Sequence, residues 1–183
     1  LLVSEQKKGQ TIHEMASYVF NEAIKRANAD NFDEAVGVYG NLIDLAPTIA
    51  AAYSQRGRCH WEMHRWYQAK RDFEEAVRLD QNNSDIGWTL GLMNLQLNRF
   101  AQGWHGYEQR WGSKVFKAPR LRTSKPQWKL GDGSKKVLVW CEQGLGDQII
   151  YASLLNKLSE YVDEVTVMVD MRLIKLLERG HAN

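Results

Sequence analysis

The run Glu142-Gln143-Gly144-Leu145-Gly146-Asp147 holds the chain's densest chemical potential, with two glycines between terminal carboxylates. Glycine lets a backbone approach a ligand closely, and a carboxylate can accept a proton. The apolar stretch Lys136–Cys141 precedes this run, and Ile149, Ile150, Leu154, Leu155 and Leu158 follow it at helical spacing. The pattern predicts a buried parallel strand, a tight turn and an amphipathic helix over 147–161. Such a turn lies at the carboxyl end of its strand, where open α/β sheets bind ligands and helix amides favour an anion. Asp147 then reads either as a base or as the cap of the helix. A nucleotide or dinucleotide cofactor site is a further reading: Asp170, after the apolar run Val165–Val169, stands at a distance suited to a ribose. A third glycine is missing from that fingerprint, with Gln148 and Ile149 in its place.

Metal chemistry finds little support. His60-Trp61-Glu62-Met63-His64 puts two imidazoles one helical turn apart, but no third ligand accompanies them. Cys59 and Cys141 match neither a disulfide framework nor the spacing of a structural zinc site. The expectation is no metal, no cofactor and unpaired thiols in a reducing cytoplasm. No apolar run reaches the length of a membrane span.

The net charge of +2 conceals a basic belt, because residues 112–136 hold eight basic side chains opposed only by Asp132. The flanking blocks, 12–111 and 137–183, are each mildly acidic. With two prolines, three glycines and three serines, residues 112–135 cannot hold a long helix, and we read them as a solvated connector. Nucleic-acid binding would need these cations and nearby aromatics on one face, and the pattern does not favour it.

The first hundred residues repeat at a spacing of 34: Phe32, Trp66 and Phe100 align, then Ala35, Ala69 and Gly103, then Tyr39, Phe73 and Tyr107. An aromatic, a small residue and a second aromatic on one face describe a helix packed closely against its neighbour. The period resembles that of the tetratricopeptide repeat, with units over 16–49, 50–83 and 84–117. First helices are expected over 12–28, 50–63 and 84–97, and second helices over 32–45, 66–80 and 100–111. Glu22 and Arg56 stand where the family usually has large apolar residues, and Arg110 where it has a small one. The third repeat is therefore expected to end the stack by packing on something else.

Stacked hairpins present their first helices on a concave wall. The register assigns to it Phe20, Ile24, Asn28, Arg58, Trp61, Glu62, Trp88, Leu92 and Gln96, a groove for a protein or peptide. Trp61 and Trp88 read either as exposed anchors or as packing between hairpins.

The order of repeats, Tyr107-Glu108-Gln109-Arg110-Trp111, Pro126-Gln127-Trp128, a strand and then the glycine turn resembles bacterial repeat proteins fused to a heptosyltransferase-related glycosyltransferase of two-lobed GT-B architecture. That resemblance implies an acceptor-side lobe with Asp147 as general base for the acceptor hydroxyl. It implies sugar-nucleotide binding only in a complete parent, since the donor is held mainly by the other lobe. The chain alone is expected to be inactive as a transferase.

The expected fold is mostly α: a tetratricopeptide-type superhelix over 12–111, a basic connector over 112–135, and the β-α-β-α start of a Rossmann-like domain over 136–183. The expected function is protein or peptide binding by an N-terminal fragment of a larger protein. An exposed sheet edge adds the prospect of self-association.

Overall fold

The computed structural model describes residues 2–142 and 144–180, with side chains from Glu14 onward. The chain divides into two compact units, one ending at Phe116 and one beginning at Lys117. In the first, α1 (Leu2–Asn28) pairs with α2 (Phe32–Leu45), α3 (Ala50–Glu62) with α4 (Trp66–Leu79), and α5 (Ser84–Gln96) with α6 (Phe100–Tyr107). Helix α1 begins at Leu2, earlier than the repeat pattern alone would start it. The other boundaries follow the predicted hairpins closely, and α6 tightens into a 3-10 turn over Glu108–Gly112.

Each hairpin reverses at one left-handed residue, and these share the repeat period: Asp30, His64 and Asn98 have φ of 59°, 57° and 58°. The next amide then reaches back over the helix end. Asn31 N–H donates to Arg26 O at 3.0 Å, Arg65 N–H to His60 O at 2.8 Å, and Arg99 N–H to Asn94 O at 2.8 Å. This arrangement satisfies terminal carbonyls and stops the helix, and Asp, Asn and His tolerate the required conformation better than most residues.

Beyond the turns, small residues set how closely the helices approach. Ala35 and Ala69 are fully buried, as are the aligned aromatics Tyr39 and Phe73. A Cβ on Gly57 would lie 3.0 Å from the Phe73 ring. The third hairpin is closer still: a Cβ on Gly91 would sit 2.5 Å from the Gly106 carbonyl carbon, and one on Gly103 2.6 Å from Leu95 Cδ2. There, backbone rests directly on backbone.

Polar residues at register positions are each compensated. Arg56 makes a bidentate pair with buried Asp72, Nε to Oδ2 and Nη2 to Oδ1, both at 2.8 Å. Hydrogen bonding to Asp72 raises the Arg56 pKa against the effect of burial. His60 Nε2 lies 3.9 Å from the same carboxylate, and burial lowers the imidazole pKa. Glu22 bonds to Arg26 at 3.1 Å along α1. Buried Arg110 bonds to the Tyr107 carbonyl at 3.2 Å and to Glu108 at 2.8 Å. Its guanidinium lies over the rings of Tyr107 and Trp111, each at 4.5 Å, and of Phe116 at 5.9 Å. The stack is thus closed by the chain that follows it, and residues 112–116 pack with the repeats rather than joining a connector.

In the second unit, β1 (Lys136–Trp140) and β2 (Glu164–Met168) pair in parallel, Lys136 opposite Glu164 and Trp140 opposite Met168. Between them lie α7 (Leu145–Ala152) and α8 (Leu155–Leu158), and a 3-10 turn at Met171–Leu173 leads into α9 (Ile174–Gly180). The single helix predicted over 147–161 is divided. Ser153 and Ser159 hydroxyls donate back to the Ile150 and Asn156 carbonyls at 2.6 and 2.7 Å, competing with continued helical bonding. The strands are also not buried on both faces: Val137, Val139, Val165 and Val167 are half-buried, whereas Leu138 is 45% and Met168 52% exposed. Before β1, Asp132 accepts from the Lys129 and Ser134 amides at 3.0 and 2.8 Å, which lowers its pKa. Gly131 and Gly133 supply the positive φ of that turn.

Two substitutions test this packing. The Tyr39 hydroxyl is buried with no hydrogen-bond partner among the described residues, and burial pushes its pKa up to about 12. Tyr39→Phe, which reproduces the residue at the aligned position 73, is predicted to raise unfolding stability by about 1 kcal/mol. Gly91→Ala is predicted to lower it by about 1–3 kcal/mol, because the helices must separate to admit a methyl. Chemical denaturation of both variants against the parent checks both signs.

Candidate functional site

The nine groove residues lie on one face of each first helix: Phe20, Ile24 and Asn28 on α1, Arg58, Trp61 and Glu62 on α3, and Trp88, Leu92 and Gln96 on α5. Burial separates them into two groups. Phe20, Ile24, Trp61, Trp88 and Leu92 are half-buried, while Asn28, Arg58, Glu62 and Gln96 are exposed. Phe20 meets Tyr39 edge-on at 5.9 Å, and Trp61 meets Phe73 edge-on at 5.9 Å. Trp88 is set against Phe116 at 5.5 Å. Each aromatic therefore anchors packing with part of its surface and leaves the rest accessible beside polar neighbours. That combination suits an extended chain, with apolar area for affinity and exposed amides and charges for orientation.

His60 and His64 serve different surroundings. His60 belongs to the Arg56–Asp72 cluster, whereas His64 stacks edge-on against Trp66 at 4.9 Å from the hairpin turn. The bidentate pair and the Arg110 cage are the polar features that sequence pattern did not foresee. Arg56 and Arg110 were visible as departures from the repeat, but their partners were not.

In the second unit the glycine turn falls at the carboxyl end of β1. Glu142 is half-buried, Gln143 lies outside the described residues, and Gly144 is the N-cap of α7 with φ −63° and ψ 167°. The helix begins at Leu145, so Asp147 does not cap it but sits in its first turn, where the helix dipole favours a negative charge. Gly146 is exposed, and a Cβ built on it would meet nothing within 4 Å beyond its chain neighbours and its own helix backbone. Asp147 is half-buried, and its carboxylate has no hydrogen-bond or ion-pair partner among the described residues. The open turn therefore presents an available carboxylate beside a bare backbone. Gln148 accepts the Asp170 amide at 2.9 Å, fastening α7 to the end of β2.

Asp170 itself is engaged. It takes the Arg172 backbone amide at 3.0 Å and both arms of the guanidinium at 2.9 Å. These bonds, led by the Arg172 side chain, depress its pKa to about 2. A carboxylate so occupied is not poised to meet a ribose.

Residues 50–83 match the tetratricopeptide repeat family, and the helical unit has the tetratricopeptide-repeat fold. Protein FlbA of Caulobacter vibrioides is 28% identical over 159 residues, 81% of this chain but 27% of that protein. Protein O-mannosyl-transferase TMTC3 of Homo sapiens is 32% identical over 72 residues, 39% of this chain and 8% of the relative. This chain thus spans about a quarter or less of the length of these relatives. Among solved structures, PcrH in complex with the chaperone binding region of PopB superposes with a TM-score of 0.52 at 15% identity, covering 57% of this chain and 87% of PcrH. That likeness establishes the helical fold. No described helix is long and apolar enough to cross a membrane.

The Asp170–Arg172 contact predicts a defined titration. Because the folded pKa is depressed, the pairing is complete above the ordinary aspartate value of 3.8 and is lost as pH falls through about 2. Carboxyl-carbon NMR of Asp170 should show that low midpoint, and Arg172→Ala should move it up toward 3.8.

Proposed function

We propose that this chain is a protein- or peptide-binding repeat module within a larger cytoplasmic protein, its ligand lying along the face formed by α1, α3 and α5. The carrying observation is the pairing of half-buried Ile24, Trp61 and Leu92 with exposed Asn28, Arg58 and Gln96 on that face. The fold is typical of protein- and peptide-binding modules, and the bound PopB region in PcrH gives one instance. The partial coverage of FlbA supports the larger parent.

A second reading concerns the other unit. The parallel pairing of β1 with β2, the glycine turn and the unengaged Asp147 support the start of a Rossmann-like acceptor lobe of a repeat-fused glycosyltransferase. In that setting Asp147 would act as the base, and the chain by itself would not transfer sugar.

The groove reading is tested on a random-peptide array. Peptides selected by the parent chain should bind Asn28→Ala/Arg58→Ala/Gln96→Ala roughly tenfold more weakly. The three side chains are exposed, so circular dichroism and melting should hardly change. Unchanged binding by this variant, or no selected peptide at all, refutes the groove. The second reading predicts no turnover of sugar nucleotides by this chain, measured as nucleotide release.

A further inference from the structure

A short irregular strap, Ser113–Phe116, follows the 3-10 turn and lies against α5 on the face that carries Asp85 and Trp88. The Ser113 hydroxyl donates to the Asp85 carboxylate and accepts the amides of Val115 and Phe116 at 3.1 and 3.2 Å. The Phe116 ring stands edge-on to Trp88 and to Trp111, each at 5.5 Å, with the Arg110 guanidinium at 5.9 Å. Val115, between them, is 67% exposed. The buried indole N–H of Trp88 has no acceptor among the described residues.

We propose that the strap occupies in cis a peptide site whose ligands carry a hydroxyl residue three positions before an aromatic one. This rests on the groove reading and deepens it, since Asp85 and Trp88 lie one turn apart on the α5 face assigned to the groove. The site has two recognition elements, a carboxylate for the hydroxyl and an aromatic and guanidinium slot for the ring, and the chain's own Ser113-Lys114-Val115-Phe116 meets both. A segment on so short a tether competes at an effective concentration of order 1 mM, so a weak peptide in trans is excluded while the strap is docked. A partner of this chemistry must displace the strap, and the site is held closed until it does.

The probe is a synthetic acetylated peptide of residues 112–118, titrated calorimetrically into the full chain. Phe116→Ala empties the aromatic slot, and Ser113→Ala releases the hydroxyl tether while leaving every ring in place. The peptide should bind Phe116→Ala at least about tenfold more tightly than the parent, with Ser113→Ala intermediate. Changing either the serine or the phenylalanine of the peptide to alanine should abolish the gain. Equal binding to parent and variants, or none to variants that keep the parent's helical circular dichroism, overturns the proposal. If Phe116→Ala loses its helical signal, the Ser113→Ala titration decides alone. Failure here with the array peptides still bound removes the strap alone; failure of both removes the groove.

Discussion

Helix pairs in this protein approach as closely as their smallest residues permit, and most of the repeat unit follows from that contact. Ala35 and Ala69 are buried without residual surface, and in the third hairpin Gly91 and Gly106 bring two backbones together. A helix pair that close cannot place bulky residues at the crossing, so the aromatics are displaced one turn along, where Tyr39 and Phe73 fill the space between hairpins. The same contacts fix the neighbouring groove residues: Trp61 lies one turn from Gly57 and Trp88 one turn from Gly91, and Phe20 and Trp61 are held edge-on by Tyr39 and Phe73 themselves.

That packing also decides how polar intrusions are tolerated. Arg56 replaces an apolar residue at a crowded place and is retained by two parallel bonds to Asp72, with His60 alongside. Truncating one partner would strand a charge in poorly hydrated surroundings, which is generally far costlier than replacing the whole pair by apolar groups. Arg110 solves the same problem differently, through an aromatic cage, the Tyr107 carbonyl and the Glu108 carboxylate. That cage recruits Phe116, so the end of the stack and the closure of α5 share one set of contacts.

The second unit lacks such crowding. Two parallel strands carry α7, α8 and α9, leaving Leu138 and Met168 exposed and an open cavity of about 730 Å³ lined by Val165, Val167, Val169, Leu155, Ile174 and Leu177. Its definition comes from local bonds: Asp132 closing a glycine turn, Gln148 joining α7 to the end of β2, and Asp170 gripping Arg172. A short sheet with one covered face relies on such fasteners more than a deep core would.

The repeat period was legible in the sequence because hairpins contact their neighbours alone, so each 34-residue unit must carry its own aromatic-small-aromatic set. The strand-turn-helix order around Gly144 was legible for a similar reason, since period and turn chemistry are local properties. What the sequence left open was long-range. Nothing in the neighbourhood of Arg56 names Asp72, and nothing around Trp88 names Phe116, because each partner is brought in by a chain reversal. The split of the 147–161 helix depended on serine back-bonds, and the occupation of Asp170 depended on the turn after β2. Periodicity determined which residues face inward; only the tertiary structure decided which of them meet, because pairing energies are set by distance and burial rather than by position along the chain.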